Sequence, residues 1–280
     1  MKFKLKQTKI MKDLQNSVQW NIQEKDLMIE NSIVPNFKAL VRSDNNEVVH
    51  VHKNSYQVLN NDQIVQITNE IAKVSGGSVE GFSEFKKGKR ILGFVKPAAH
   101  ESSIGKNQIN DYIVIGNSHD GSTGIFLGTS TQLIRCTNAF SKIMKDHVIR
   151  HTKNANISME QMVQTYQYYN QEKNELYQSF DRMSKIHVDA GLIKTLTQRI
   201  FEVDHTQEIS TNKANKMELF QGSIEKEMTD LGSNMWGFFN AVTHYSTHTI
   251  KQKDETFGNV FGTSAEFNKR AVKEIELVMS

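Results

Sequence analysis

Hydrophobic and polar positions alternate in the first half of the chain and repeat at three and four in the second. Phe37-Lys-Ala-Leu-Val-Arg42 reads as a strand, Ser43-Asp-Asn-Asn46 as its turn, and Glu47-Val-Val-His-Val-His52 as the alternating return. Residues 1–36 are polar and mixed, with a lysine-rich start at Lys2, Lys4, Lys6, Lys9 and Lys12 that reads as a basic arm or a solubilising terminus. Tyr56-Gln-Val-Leu59 is a short apolar piece. Asn60 or Asn61 then caps a helix carrying Ile64, Ile67, Ile71 and Val74, which Ser75-Gly-Gly77 ends. Phe85 to Val95 needs a tight turn at Lys87-Gly88-Lys89. The segment 100–110 has no period and reads as a mobile surface loop. Tyr112-Ile-Val-Ile115 is nearly all apolar and predicts a central strand covered on both faces, followed by an Asn117–Ser122 turn and strands at Gly124–Gly128 and Gln132–Cys136.

Ser141–Lys153 reads as a helix with Ile143, Met144 and Val148 on one side and Lys142, Lys145, Arg150 and Lys153 within one arc on the other, Ile149 being the exception. Cationic side chains near a helix C-terminus also suit the helix dipole, a rival account of Arg150 and Lys153. From Ser158, the series Met159, Met162, Tyr166, Tyr169, Lys173, Leu176, Phe180, Met183 and His187 keeps a period near 3.5 and predicts one long helix. Shorter helices follow at 190–201, 213–231 and 235–250, then a loop at 251–264 and a closing helix at 266–278. The fold class is α+β: an N-terminal antiparallel sheet with a β-β-β-α core, then a helical region with a long helix. The expected division is 1–36, a polar basic segment; 37–153, a β-rich core; and 154–280, helical.

Composition changes this picture little. At 280 residues the chain can bury one large core or two smaller ones. Its one cysteine, Cys136, excludes an intrachain disulfide and a multi-cysteine zinc site. With no apolar run long enough for a signal core or a span, the expected setting is the cytoplasm, with no membrane partner.

Charge distribution says more than the net +3. Residues 86–153 hold eleven lysines and arginines against four carboxylates, whereas residues 160–230 hold eight against twelve. A basic surface and an acidic helical region follow. Lys86, Lys87, Lys89, Arg90 and Lys96 on a hairpin, Arg135 on a strand, and Lys142, Lys145, Arg150 and Lys153 on a helix are the candidate DNA-binding set. Interleaved Phe85, Phe94 and Tyr112 suit a groove that tracks phosphates and supports bases. Chance clustering on solvated hairpins is the plain alternative.

Two histidine motifs stand beside that set. His119 and Asp120 could share a proton or a metal, but two adjacent residues are a fragment of a site, and Asp-Gly is a hairpin signal. His244 and His248 have metal-sharing spacing, yet Tyr245 stands where a zincin would carry glutamate. Asn234-Met-Trp-Gly-Phe-Phe-Asn240 reads as core before it reads as a base platform. No phosphate-binding loop, dinucleotide fingerprint or nucleophile elbow occurs, so no catalytic residue, metal or cofactor is expected.

Leu40-Val-Arg, Asn54-Ser-Tyr-Gln-Val-Leu-Asn60, Gly88-Lys-Arg-Ile-Leu, Asn117-Ser-His-Asp-Gly-Ser122, Ile134-Arg-Cys-Thr-Asn138 and Trp236-Gly-Phe-Phe-Asn-Ala-Val-Thr-His-Tyr245 together resemble the phage/plasmid-related protein family. Where that family commonly has acidic residues near the end of the last motif, this chain has His244 and Thr247. The resemblance implies a mobile-element setting, a phage or plasmid in the cytoplasm of a bacterial host cell, and supplies no activity. Strands followed at once by a helix are also similar to the core of single-strand annealing proteins, which form rings or filaments and hold single-stranded DNA in a basic groove. Single-stranded DNA and further copies of the chain are the partners this likeness implies, with annealing, recombination or replication of phage or plasmid DNA as the role. The rivals are a virion-associated or protein-interaction module without DNA affinity, and a metal-dependent nucleic-acid hydrolase using His119, Asp120 and a distant carboxylate.

Overall fold

The computed structural model describes residues 18–99, 101–104, 107–133, 139–143, 159–204, 206–251 and 260–280. Its strands are β1 (Ile22–Ile29), β2 (Ser32–Arg42), β3 (Val48–Lys53), β4 (Ser78–Phe85), β5 (Arg90–Lys96), β6 (Glu101–Ile104), β7 (Asn107–Ser118), β8 (Phe126–Leu133) and β9 (Ala139–Ile143). The helices are α1 (Asn61–Val74), α2 (Met159–Lys185), α3 (Ala190–Ile200), α4 (Thr211–Leu231), α5 (Met235–His244) and α6 (Thr263–Met279). The class is α+β, with sheets in the N-terminal part and helices in the C-terminal part. One sheet has the order β1-β2-β3 and the other β4-β5-β7-β8-β9, with β6 paired to β7.

The chain divides into two compact units. The first comprises residues 1–100, 111–129 and 143–172; the second comprises 101–110, 130–142 and 173–280.

In the first unit the period-two strands turn one face inward. Leu40, Val49, Ile91, Val95, Ile113 and Ile115 meet Ile64, Ile67 and Ile71 of α1, and Tyr169 from the N-terminal half of α2 joins the same core. Each such side chain contributes about 1.5–3 kcal/mol on burial. Gly93 brings α1 close to β5, because a Cβ there would stand 2.5 Å from Thr68 Oγ1. β7 is covered on both faces as its apolar run requires: Ile113, Val114 and Ile115 are all buried.

Residues 22–36, read from sequence as polar and mixed, form β1 and the start of β2. Their apolar positions escape a period-two reading because the β1–β2 register shifts between Asp26 and Met28, beside Pro35 and the left-handed Asn36 (φ 65°).

In the second unit, Phe180, Leu196, Ile200, Phe220, Trp236, Phe238, Phe239, Tyr245, Phe267 and Ile275 form one core. Phe220 sits edge-on to Phe238, Tyr245 and Phe267, with ring centroids 5.5–5.9 Å apart. The Asn234–Asn240 stretch is therefore packing, as its pattern suggests. Asp189 and Asn234 cap α3 and α5, accepting from Leu192 N at 2.8 Å and Gly237 N at 2.9 Å. The segment 100–110, expected as a mobile loop, instead pairs β6 with β7 from Glu101↔Asn110 to Ile104↔Asn107. Ile104 and Ile109 anchor those two strands in the core, and one apolar anchor on each leaves no readable period.

After α5 the backbone widens into a π turn, Tyr245–Thr249, closed by Ile250 N donating to Tyr245 O at 3.1 Å. The helix expected over 235–250 thus ends early as an α-helix. Ser264, at the start of α6, donates its hydroxyl to the carbonyl of Ser246 and holds that wider turn.

The helix expected at Ser141–Lys153 is corrected at its start. Ser141, Lys142 and Ile143 continue strand β9, and residues 144–153 of the expected helix lie outside the described residues. Alternating Phe140, Lys142 and their neighbours suit a strand edge as well as they suit a first helical turn, which is why periodicity failed to separate the two.

Candidate nucleic-acid interface

The β4–β5 turn carries Lys86, Lys87 and Lys89, and its backbone is unusual. Lys86 (φ 50°), Lys87 (φ 62°) and Gly88 (φ 83°) are all left-handed. For each lysine that conformation costs about 1–2 kcal/mol. Neighbouring structure therefore has to hold it. Gly88 lies against a buried pair: a Cβ there would stand 2.5 Å from both Arg42 Nη1 and Trp20 Cζ2. The Arg42 guanidinium lies 4.0 Å from the centroid of the Trp20 ring. Arg42 donates to Asp44 through Nε (3.0 Å) and Nη2 (2.7 Å), and to Glu84 through Nη1 (3.0 Å). Trp20 Nε1 donates to the same Glu84 oxygen at 2.8 Å. The Asp44 hydrogen bonds, against burial and with help from Glu84, raise the Arg42 pKa above its ordinary value, and Arg42 in turn holds the Asp44 carboxyl below its own. A cation fixed on its indole platform is the seat of the turn.

Two further contacts tie the turn down. His119 N donates to Lys89 O at 2.7 Å, and Lys87 Nζ donates to Glu47 Oε1 at 2.9 Å. Lys86 and Lys87 remain exposed, while Lys89 and Arg90 are half-buried.

The structure brings the Asn117–Ser122 turn against this basic tip, because β5 and β7 pair Arg90 with Ser118 and Ile91 with Asn117. The two motifs singled out separately in the sequence thus share one place. His119 and Asp120, however, take different partners. His119 is 1% exposed, its Nε2 lies 2.8 Å from Asn61 Oδ1, and its ring packs 5.6 Å from that of Trp20. Asn61 Nδ2 donates to Trp20 O at 2.7 Å, so its oxygen is the acceptor and His119 Nε2 the donor. This histidine braces the turn. Asp120 accepts from Ser122 N at 3.0 Å and from the Ser122 hydroxyl, and lies 3.8 Å from Arg90 Nε. Burial opposes its ionisation, but the Ser122 hydrogen bonds and Arg90 outweigh that and leave its pKa below the ordinary carboxylate value.

His50 and Tyr56 stand beside the same turn. His50 Nε2 is 3.3 Å from where a Gly121 Cβ would be, and Tyr56 donates its hydroxyl to Ser118 O at 3.1 Å. Burial lowers the His50 pKa, with His52 and Lys89 adding to the effect and Asp120 opposing it. Neutral His50 therefore adds no charge to the tip. Burial and the nearby Asp120 raise the Tyr56 hydroxyl pKa.

Of the ten expected DNA contacts, Lys86, Lys87, Lys89 and Arg90 are gathered here. Lys96 is not. It lies at the far end of β5, opposite Ser78, six residues or roughly 20 Å from Arg90. Lys142 lies in β9 rather than on a helix. Arg135, Lys145, Arg150 and Lys153 fall outside the described residues. Trp20, Arg42 and Glu84 are absent from the set the sequence suggests, and Asn61, there only a candidate helix cap, instead engages His119 while Asn60 stands at the cap. Arg42, an arginine closing the apolar run Ala39-Leu-Val, was the one available signal of a buried charge.

The second histidine pair also has local partners. His244 and His248 have ring centroids 5.0 Å apart. His244 Nε2 is 2.8 Å from Lys226 Nζ, and its Nδ1 is 3.1 Å from Ser223 Oγ. Burial, then Lys226 and His248, push the His244 pKa down to about 4. Among the described residues no group of three or more His, Cys, Asp or Glu is placed to hold a metal ion, and no helix is long and apolar enough to cross a membrane.

A family model described as a domain of unknown function (DUF932) matches residues 48–272, from β3 to the middle of α6. No curated protein and no solved structure matches the chain.

Proposed function

The chain belongs to the DUF932 family, and from its residues we propose that it binds single-stranded DNA and acts as an oligomer in annealing, recombination or replication of phage or plasmid DNA. One observation carries the reading. Lys86, Lys87, Lys89 and Arg90 are held together on a turn that is itself fixed to the Trp20–Arg42 pair and to the His119 loop. A flexible lysine loop would lose conformational freedom on binding each phosphate, whereas a braced one presents charge already in place. The Lys87–Glu47 contact does not cancel that charge, because its lysine is 77% exposed, and such surface pairs contribute about 0–1 kcal/mol and yield to phosphate.

A metal-dependent hydrolase draws less support, since His119 is buried and engaged with Asn61 while Asp120 is turned to Ser122. The test is fluorescence anisotropy with a labelled poly-dT oligonucleotide across a salt series. Expected is an affinity falling linearly on a log–log plot, with a slope of about −0.7 per phosphate contacted. Lys87→Glu with Lys89→Glu should weaken binding and flatten that slope. Binding that is absent, or indifferent to salt, removes the reading.

A further inference from the structure

We infer that the outer face of the β1-β2-β3 sheet is where the bases of a bound single strand stack; this rests on the reading of the chain as a single-stranded DNA binder. Among the described residues ten large apolar side chains are exposed, and six of them, Met28, Ile29, Ile33, Phe37, Val48 and Val51, belong to this one sheet.

The register sorts its faces. Phe37 opposes Lys53, Ala39 opposes both Val51 and Lys25, and Val41 opposes Val48 and Gln23, so these residues share a face. Leu40, His50 and His52 share the other, which turns to the core, and Glu24 and Asp26 lie on it too, opposite Leu40 and Lys38. Glu24 is held there by His52, whose Nε2 is 3.2 Å from its carboxylate. Of the six exposed apolar residues, the register puts Phe37, Val48 and Val51 on the outer face, around Ala39 and Val41, which are themselves buried; Lys25 and Lys53 lie on the two neighbouring strands, and no carboxylate is among that face's paired positions. Lys25 donates to the uncharged side chain of Asn46 at 3.0 Å and keeps its charge unneutralised.

An aromatic and apolar platform rimmed by cations is what an unpaired strand needs, since bases stack on the ring while lysines take the phosphates. A duplex offers no free base faces to it. A second copy of the chain suits it less well, because protein interfaces are depleted of lysine. The face also connects to the basic tip: the turn joining β2 to β3 carries Glu47, the residue Lys87 reaches at 2.9 Å.

The test uses the full chain. Phe37→Ala, at a position already 37% exposed, should leave the fold intact and weaken binding of labelled poly-dT by about tenfold. Phe37→Tyr should retain most of it. Photo-crosslinking to an oligonucleotide carrying 5-iodouracil should place the adduct between residues 25 and 53. If the oligonucleotide binds, Lys87→Glu weakens it, and Phe37→Ala changes nothing with adducts elsewhere, the platform is wrong while the DNA reading stands. If no oligonucleotide binds, both go. If Phe37→Ala leaves binding intact but lowers the oligomeric state in sedimentation, the face is a contact between copies, and the inference is overturned in favour of that surface.

Discussion

Lys89 and His119 are joined through their backbones, His119 N donating to Lys89 O at 2.7 Å, while the imidazole of the same histidine reaches Asn61 at the start of α1. A charged turn is thereby tied to the helix beneath the sheet through one residue.

Replacing His119 with alanine should therefore destabilise the fold more than a surface change would. Asn61 is fully buried, and its oxygen would lose its donor. We expect a loss of about 2 kcal/mol in urea unfolding, from the unpaired acceptor and the vacated ring volume together. His119→Gln, which can still donate, should recover part of it. Equal stability of His119→Ala and the parent would show that the histidine braces nothing.

Gly88→Ala meets two obstacles at once. Its φ of 83° disfavours any side chain, and the new Cβ would stand 2.5 Å from the Arg42 guanidinium and the Trp20 ring. A cost of about 2–3 kcal/mol is expected in chemical unfolding. Retained stability would mean that the turn is free of the Trp20–Arg42 seat.

His244 gives the second unit a pH dependence. Its folded pKa, about 4, lies below the ordinary value of 6.5, so the unfolded chain binds the proton first. The neutral ring's contribution is whole above pH 6.5 and is lost as pH falls from there to about 4. Because the ring is only partly buried, solvent screening keeps the effect to about 1–2 kcal/mol. Thermal melts at pH 7 and pH 5 should separate the parent from His244→Gln, with the variant less sensitive to acid. Lys226→Met should raise the His244 pKa, which an NMR titration of the histidines reads directly.

Asp120 works in the carboxylate direction. Its folded pKa lies below the ordinary 3.8, so the stability it adds is present above 3.8 and is lost as pH falls through the lower, folded value. Asp120→Asn should lower stability at neutral pH and flatten the acid limb below pH 3.8. Acid unfolding that is the same in parent and variant would mean that the Ser122 and Arg90 contacts contribute nothing.

Long, regular segments were legible in the sequence. The α1 period through Ile64, Ile67 and Ile71, the α2 series through Tyr169 and Phe180, and the apolar run of β7 each repeat often enough to identify the element and its buried face. Irregular segments were not. Pro35 and Asn36 shift the register of β2, and Ile104 and Ile109 supply only one anchor on each strand of the β6–β7 pair. Half of the site was readable as charge at Lys86–Arg90. Its support was not, because Trp20, Arg42, Glu84 and Asn61 lie in four separate stretches and only tertiary contacts unite them. The expected basic stripe also relied on a helix from Ser141, where the chain is still in β9.

The left-handed backbone at Lys86 and Lys87 sets folding and cationic character against each other. An Asn-Gly pair would occupy those two positions with less conformational penalty and would firm up the hairpin, yet it would take two positive charges from the tip. A variant selected only for thermal resistance should drift that way and become a sturdier, less basic protein.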